Sequence, residues 1–170
     1  LNCHLLDANV FIDAKNTYYS FETAPGFWDW LREEHARGTI CSITAVHDEL
    51  ARQEDELAEW ADALPKTFWL HEDDAALPHL QTVAAWAMSP AHKYRETARV
   101  EFLAAADFRL VAAARAWTMP IATNEVSQPD SGRKVKLPDA CRAQGVEVTR
   151  GHVLFRRLGL RLVQSRDQPQ

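Results

Sequence analysis

The sequence predicts an α/β fold, with helices layered against a central, mainly parallel sheet of four or five strands. Two observations carry this. Short apolar runs at residues 4–6, 40–43 and 120–123 are separated by helical stretches, and single strands separated by helices pair in parallel through right-handed crossovers. The 170 residues are 46% apolar and 25% charged, the balance of one ordinary soluble domain and not of a disordered chain. At this length folding buries roughly 70% of the unfolded chain's surface, so a core needs neither disulfides nor a structural metal. The expected domain runs from 2 to 163, with a frayed tail at 164–170.

Each element has a local reason. His4-Leu5-Leu6 is an apolar run that stops at Asp7, and Val10-Phe11-Ile12 then carries a helix into Lys15-Asn16. Pro25-Gly26 opens a second helix over Phe27–His35 that Gly38 closes, the expected placing of proline at a helix start and glycine past its end. Ile40–Ile43 is the next strand, after which Thr44 is expected to cap a helix through Val46, Glu49 and Leu50. Residues 55–117 read as almost entirely helical, broken at Pro65, at Glu72–Asp74 and at Ser89-Pro90. Pro120–Thr123 is a third core strand, followed by a polar loop of about a dozen residues. Val146–Val148 is expected as a fourth strand, His152–Leu158 as a short helix and Leu160–Val163 as a last strand.

The formal net charge of −5 conceals an asymmetry. Residues 1–130 carry 10 Lys and Arg against 21 Asp and Glu, whereas residues 131–170 carry 9 against 3. An acidic body with a basic C-terminal quarter is not the pattern of a generic nucleic-acid binder, but it is the kind of asymmetry an interaction surface leaves. Cys3, Cys41 and Cys141 are an odd, scattered set without a C-x-x-C spacing, which points to buried thiols in a reducing, cytoplasmic compartment. No window approaches 18 uninterrupted apolar residues, so no membrane span is expected. Metalloprotease-type His spacing, G-x-S-x-G and a Gly-rich phosphate loop are absent. The six tryptophans fall mostly in helical segments, where they are expected to pack and not to stack on bases.

Parallel sheets present ligands at the carboxyl ends of their strands, and acids stand there. Asp7 follows the first strand, Glu49 lies in the helix after the second, and Glu125 follows the third. Asp107 interrupts an apolar stripe at positions 100, 103, 104, 107, 110, 111 and 114, so its carboxylate is expected to point inward. Each has an ordinary structural reading: Asp7 as a helix N-cap, Glu49 as a solvated helix residue, Asp107 as the cap of a helix that restarts there, Glu125 as a loop charge. Four carboxylates within about 5 Å would repel by roughly 3 kcal/mol per pair at an effective dielectric near 20, which a cation must offset. An all-oxygen set selects Mg²⁺ or Mn²⁺ over zinc. A phosphohydrolase with an aspartyl nucleophile would want Asp-x-Asp after the first strand, and the third residue here is Asn9.

Leu5-Leu6-Asp7-Ala8-Asn9-Val10 resembles the opening of a PIN domain, the nuclease fold of VapC-type toxins. Ser42-Ile43 leading to Asp48-Glu49-Leu50 is similar to its second acidic motif, and Ala106-Asp107-Phe108-Arg109-Leu110 to its third. Thr123-Asn124-Glu125, followed by a Lys/Pro/Cys segment over 134–141, is similar to a less characterised PIN-like branch, since common PIN domains have Thr-x-Asp; Asp130 therefore stands as an alternative fourth acid. The resemblance implies a three-layer α/β/α fold and a metal-dependent endoribonuclease acting as the toxin of a toxin–antitoxin pair. It implies one or two Mg²⁺ or Mn²⁺ ions on Asp7, Glu49, Asp107 and Glu125, with Asn9 and Thr123 orienting the ligands. Water would attack the RNA phosphodiester in line, leaving a 5′-phosphate and a 3′-hydroxyl. Arg133, Lys134 and Lys136 are candidates for phosphate contacts, and a protein antitoxin and a homodimer enter as expected partners. The competing expectation is a PIN-like module that binds RNA or protein without cutting.

Overall fold

In the computed structural model, which describes residues 3–163, the first apolar run forms β1 (His4–Leu6) and passes through Asp7 into α1 (Ala8–Asn16). After a loop, α2 (Pro25–Ala36) begins on its proline, and Gly38 reverses the chain with φ +75°, a value at which a side chain would be strained. It delivers β2 (Ile40–Ile43), buried at all four positions. Then α3 (Thr44–Ala51) follows without a turn. Thr44 does not cap this helix. It is the first helical residue, and its hydroxyl donates instead to the Leu70 carbonyl at 3.3 Å. The next helix, α4 (Glu56–Asp62), is capped by Asp55, which accepts from the Leu57 and Ala58 amides at 2.9 and 3.2 Å.

The stretch 55–117 is not wholly helical. A 3-10 turn at Lys66–Phe68 leads into β3 (Trp69–Leu70), after which come α5 (Leu77–Met88), α6 (Glu96–Ala104) and α7 (Ala106–Trp117). Ala105 has extended backbone between α6 and α7, so the expected apolar stripe is split across two helices. Its first member, Val100, is exposed, while Leu110, Val111 and Ala114 are buried.

The third core strand is β4 (Ile121–Ala122), and the segment after it is not all loop, because α8 (Leu137–Ala143) forms with Pro138 in its first turn. The fourth expected strand lies slightly later, as β5 (Val148–Thr149), followed by α9 (Gly151–Arg157). Leu160–Val163 is not a strand. The Leu160 amide donates to the Phe155 carbonyl at 2.9 Å to close α9, and Leu162 and Val163 are exposed. The tail expected at 164–170 and residue 2 lie outside the described residues.

The five strands form one parallel sheet in the order β3-β2-β1-β4-β5 within a three-layer α/β/α fold. Register is set by buried side chains, with Leu5 paired to Cys41 on one side and Ile121 on the other. Leu5, Leu6, Ile40, Ile43 and Ile121 have no exposed surface. Full burial of one such side chain is worth about 1.5–3 kcal/mol. Phe11, Phe27, Trp28, Trp60, Phe68 and Trp69 pack as an aromatic block beneath the sheet, and all six tryptophans sit in or against the core. Because every strand runs the same way, their carboxyl ends share one edge, where Asp7 and Thr123 emerge. Among the described residues, no helix is long and apolar enough to cross a membrane.

Candidate active site

Asp7 occupies the N-cap position of α1, yet its carboxylate makes no capping hydrogen bond. Its backbone is held by the sheet, since the Asp7 amide donates to the Ala122 carbonyl at 3.0 Å. The side chain is 3% exposed and accepts a hydrogen bond from the Thr123 hydroxyl at 2.7 Å. That hydroxyl in turn accepts from the Asn9 amide at 3.1 Å and from the Glu125 backbone N–H at 3.1 Å. The Asn9 carbonyl oxygen accepts from the Asn124 amide at 2.8 Å, so α1 and the segment after β4 are tied across the strand ends. Asn124, not anticipated from the sequence, extends the tie by donating to Asp13 at 3.0 Å and accepting from the Gly151 amide at 3.2 Å.

A cavity of about 280 Å³ opens over this network. Asp7, Asn9, Glu49, Asp107, Glu125 and Lys134 all line it. Glu49 comes from the second turn of α3. Asp107 comes from the first turn of α7, where the restart after Ala105 aims it at the strand ends; a helix does restart here, but Asp107 is not its cap. Neither carboxylate has a hydrogen-bonding or ion-pairing partner among the described residues. Glu101 of α6 also lines the cavity, and no sequence signal marked it.

The electrostatics divide the four acids in two. Burial, and then Asp107, push the Asp7 carboxyl well above the usual range, with Glu125 and Glu49 adding to the effect. Burial likewise raises Asp107 to about 6, helped by Glu125 and Glu49. Glu49 is raised mainly by burial, against the pull of Arg52 and Lys134. Glu125 is the exception. Burial acts to raise it, but the Leu137 N–H at 2.8 Å, Lys134 at 3.0 Å and Lys136 at 3.4 Å outweigh that and hold it below its ordinary value.

The loop after β4 places its charged candidates differently from one another. Lys134, still exposed along its side chain, and Lys136 both reach Glu125, while exposed Arg133 has no side-chain partner among the described residues. Asp130, the alternative fourth acid, is on the surface beside Lys93 at 3.9 Å and away from the cavity. Asp139, buried and also unanticipated, accepts from the Ser127 hydroxyl and the Gln128 amide and pins the loop. A second cavity of about 310 Å³ shares Glu49 and adds Arg52 and Arg109.

Oxygen donors with raised affinity for positive charge suit a hard divalent cation in kind. Among the described residues, however, no group of three or more His, Cys, Asp or Glu side chains stands as a ready ligand set. Like charges around one cavity keep apart, and Lys134 supplies part of the compensating charge. Residues 4–162 match the model of a family described as a domain of unknown function, DUF4411. No curated protein and no solved structure matches the chain.

Proposed function

The chain belongs to the DUF4411 family, a domain of unknown function, and on that premise we propose that it is a Mg²⁺- or Mn²⁺-dependent endoribonuclease of PIN-like type, the cytoplasmic toxin of a toxin–antitoxin pair. One observation carries the reading: Asp7, Glu49 and Asp107, from three separate elements, line one cavity with pKa values pushed up and insufficient positive charge around them. Acids so placed at strand ends are costly to stability, and pKa shifts of this kind collect at functional sites.

In this reading Asp7, Glu49 and Asp107 hold the ion, and Glu125 joins them to the extent that Lys134 and Lys136 release it. A bound divalent ion supplies Lewis acidity to the attacking water and the leaving oxygen of a phosphodiester. The Thr123 hydroxyl fixes the Asp7 rotamer, and Asn9 keeps that hydroxyl aimed. In this reading Arg133, exposed in the loop that carries Lys134, and Arg52, lining the adjoining cavity, would contact flanking phosphates. A protein antitoxin and a second copy of the chain are the partners that go with this function.

The test is cleavage of single-stranded RNA with Mn²⁺ by wild type and by Asp7→Asn. Cleavage by wild type, stopped by chelator and abolished in the variant, is expected; equal activity of the two would overturn the reading. The engagement of Glu125 by Lys134, Lys136 and the Leu137 amide favours a second reading, a module that binds RNA or protein without cutting. Metal-dependent turnover by a homogeneous preparation excludes it.

A further inference from the structure

Cys3 and Cys41 lie 38 residues apart in sequence, and their sulfurs are 2.8 Å apart in the fold. The sheet brings them together. Leu5 pairs with Cys41, and Cys3, two residues before Leu5 along the same chain, projects to the same face of the sheet. Cys3 stands two residues from the row that pairs Leu5 with Cys41, so the two side chains reach diagonally toward each other across the strands until their sulfurs meet. The two thiols are unequal. Cys41 is buried, 4% exposed, whereas Cys3 is half-buried and reachable from solvent. Cys141, the third cysteine, is fully buried in α8, and the sulfur contact joins only Cys3 and Cys41.

We propose that Cys3 and Cys41 form a redox-active pair, a modification site on which hydroperoxides act to close a disulfide between β1 and β2. Cys3 is the attacking thiol because it is the exposed one, and the Cys41 S–H, donated to the Cys3 sulfur, holds the Cys3 thiol below its usual pKa and the Cys41 thiol above it. In the first step the Cys3 sulfur attacks one peroxide oxygen, the O–O bond breaks, and the other oxygen leaves as water or alcohol with the Cys3 proton. The product is a sulfenic acid on Cys3. In the second step the Cys41 sulfur attacks the Cys3 sulfur, the S–O bond breaks, and hydroxide leaves as water with the Cys41 proton. Two thiols and one hydroperoxide thus give one disulfide, one water and one alcohol (a second water when the hydroperoxide is hydrogen peroxide), the sulfurs losing the two electrons that the peroxide gains. This site does not depend on the ribonuclease reading, and its test involves no RNA and no metal.

The experiment treats the reduced full chain with an equivalent of hydrogen peroxide, then unfolds and alkylates it with iodoacetamide without reductant. The expected result is the loss of two alkylatable thiols, with Cys141 alone labelled, and a Cys3–Cys41 cross-linked peptide that dithiothreitol separates. In Cys41→Ser the reaction stops at the first step, and dimedone labels Cys3. Retention of all three thiols would overturn the proposal. So would a bridge to Cys141 or between chains, or over-oxidation of Cys3 with Cys41 still alkylatable.

Discussion

The Thr123 hydroxyl donates to the Asp7 carboxylate, which is 3% exposed, and among the described residues no other side chain donates to it. Thr123→Val removes that donor without changing shape. Leaving a buried acceptor unsatisfied costs about 1–3 kcal/mol, so urea melts of the variant are expected to show a loss of that size, and Thr123→Ser is expected to restore most of it. Asp107 gives a pH signature. Its carboxyl is raised to about 6 in the folded chain against about 3.9 unfolded, so the folded state binds the extra proton. The stability this contributes is complete below pH 4 and is lost as pH rises through 6. In chelator, Asp107→Asn is therefore expected to be more stable than wild type at pH 7.5, by about 1–2 kcal/mol after allowance for partial exposure, and the gain is expected to vanish near pH 4. Equal stability of the two proteins at pH 7.5 contradicts the assignment. At Arg133, which makes no ion pair among the described residues, Arg133→Ala is expected to raise KM for RNA several-fold with kcat unchanged, since a phosphate contact positions without taking part in chemistry.

Helices and loops set how well those side chains are held. Gly132 sits where an added Cβ would lie 2.6 Å from the Lys93 carbonyl oxygen, a backbone atom that cannot give way cheaply. Its own carbonyl accepts from the Arg95 amide at 2.9 Å, so the glycine clamps the Lys134 loop against the start of α6. Gly132→Ala is expected to cost about 1–3 kcal/mol by overpacking, read as a lowered Tm, and to loosen Lys134 from Glu125. Some of this scaffold is legible in the sequence and some is not. β1, β2 and β4 can be read because apolar runs end at Asp7, follow Gly38 and follow Pro120. β3 cannot, because two residues, Trp69 and Leu70, have no period to detect, and only pairing with Ser42 and Ile43 makes them a strand. α8 carries a signal, Pro138 at its start, that a polar neighbourhood masks. The alternation at 160–163 imitates a strand, but it pairs with no strand among the described residues. In the site, Asp7, Glu49 and Glu125 can be read from their places after strands and Asp107 from its place in an apolar stripe, while the engagement of Lys134 and Lys136 by Glu125 cannot, since a lysine facing a phosphate and one facing Glu125 are spelled alike.

At the scale of the molecule, the net charge of −5 is a sum over an acidic body and a basic final quarter. Part of the negative charge is concentrated where five carboxylates, Glu101 among them, line one cavity, and part of the basic quarter, Lys134 and Lys136, pairs with one of them, Glu125. A divalent ion bound only by the folded chain stabilises it by about 2.7 kcal/mol at a hundred times its Kd. Tm is therefore expected to rise with Mn²⁺ in wild type and to stay flat in Asp107→Asn. The central claim, that the sheet gathers Asp7, Glu49 and Asp107 into a metal centre, is tested most directly by anomalous scattering from crystals soaked in Mn²⁺. The account predicts a peak within ligating distance of oxygens from all three residues. An occupied Mn²⁺ position elsewhere, with none in that cavity, would contradict it.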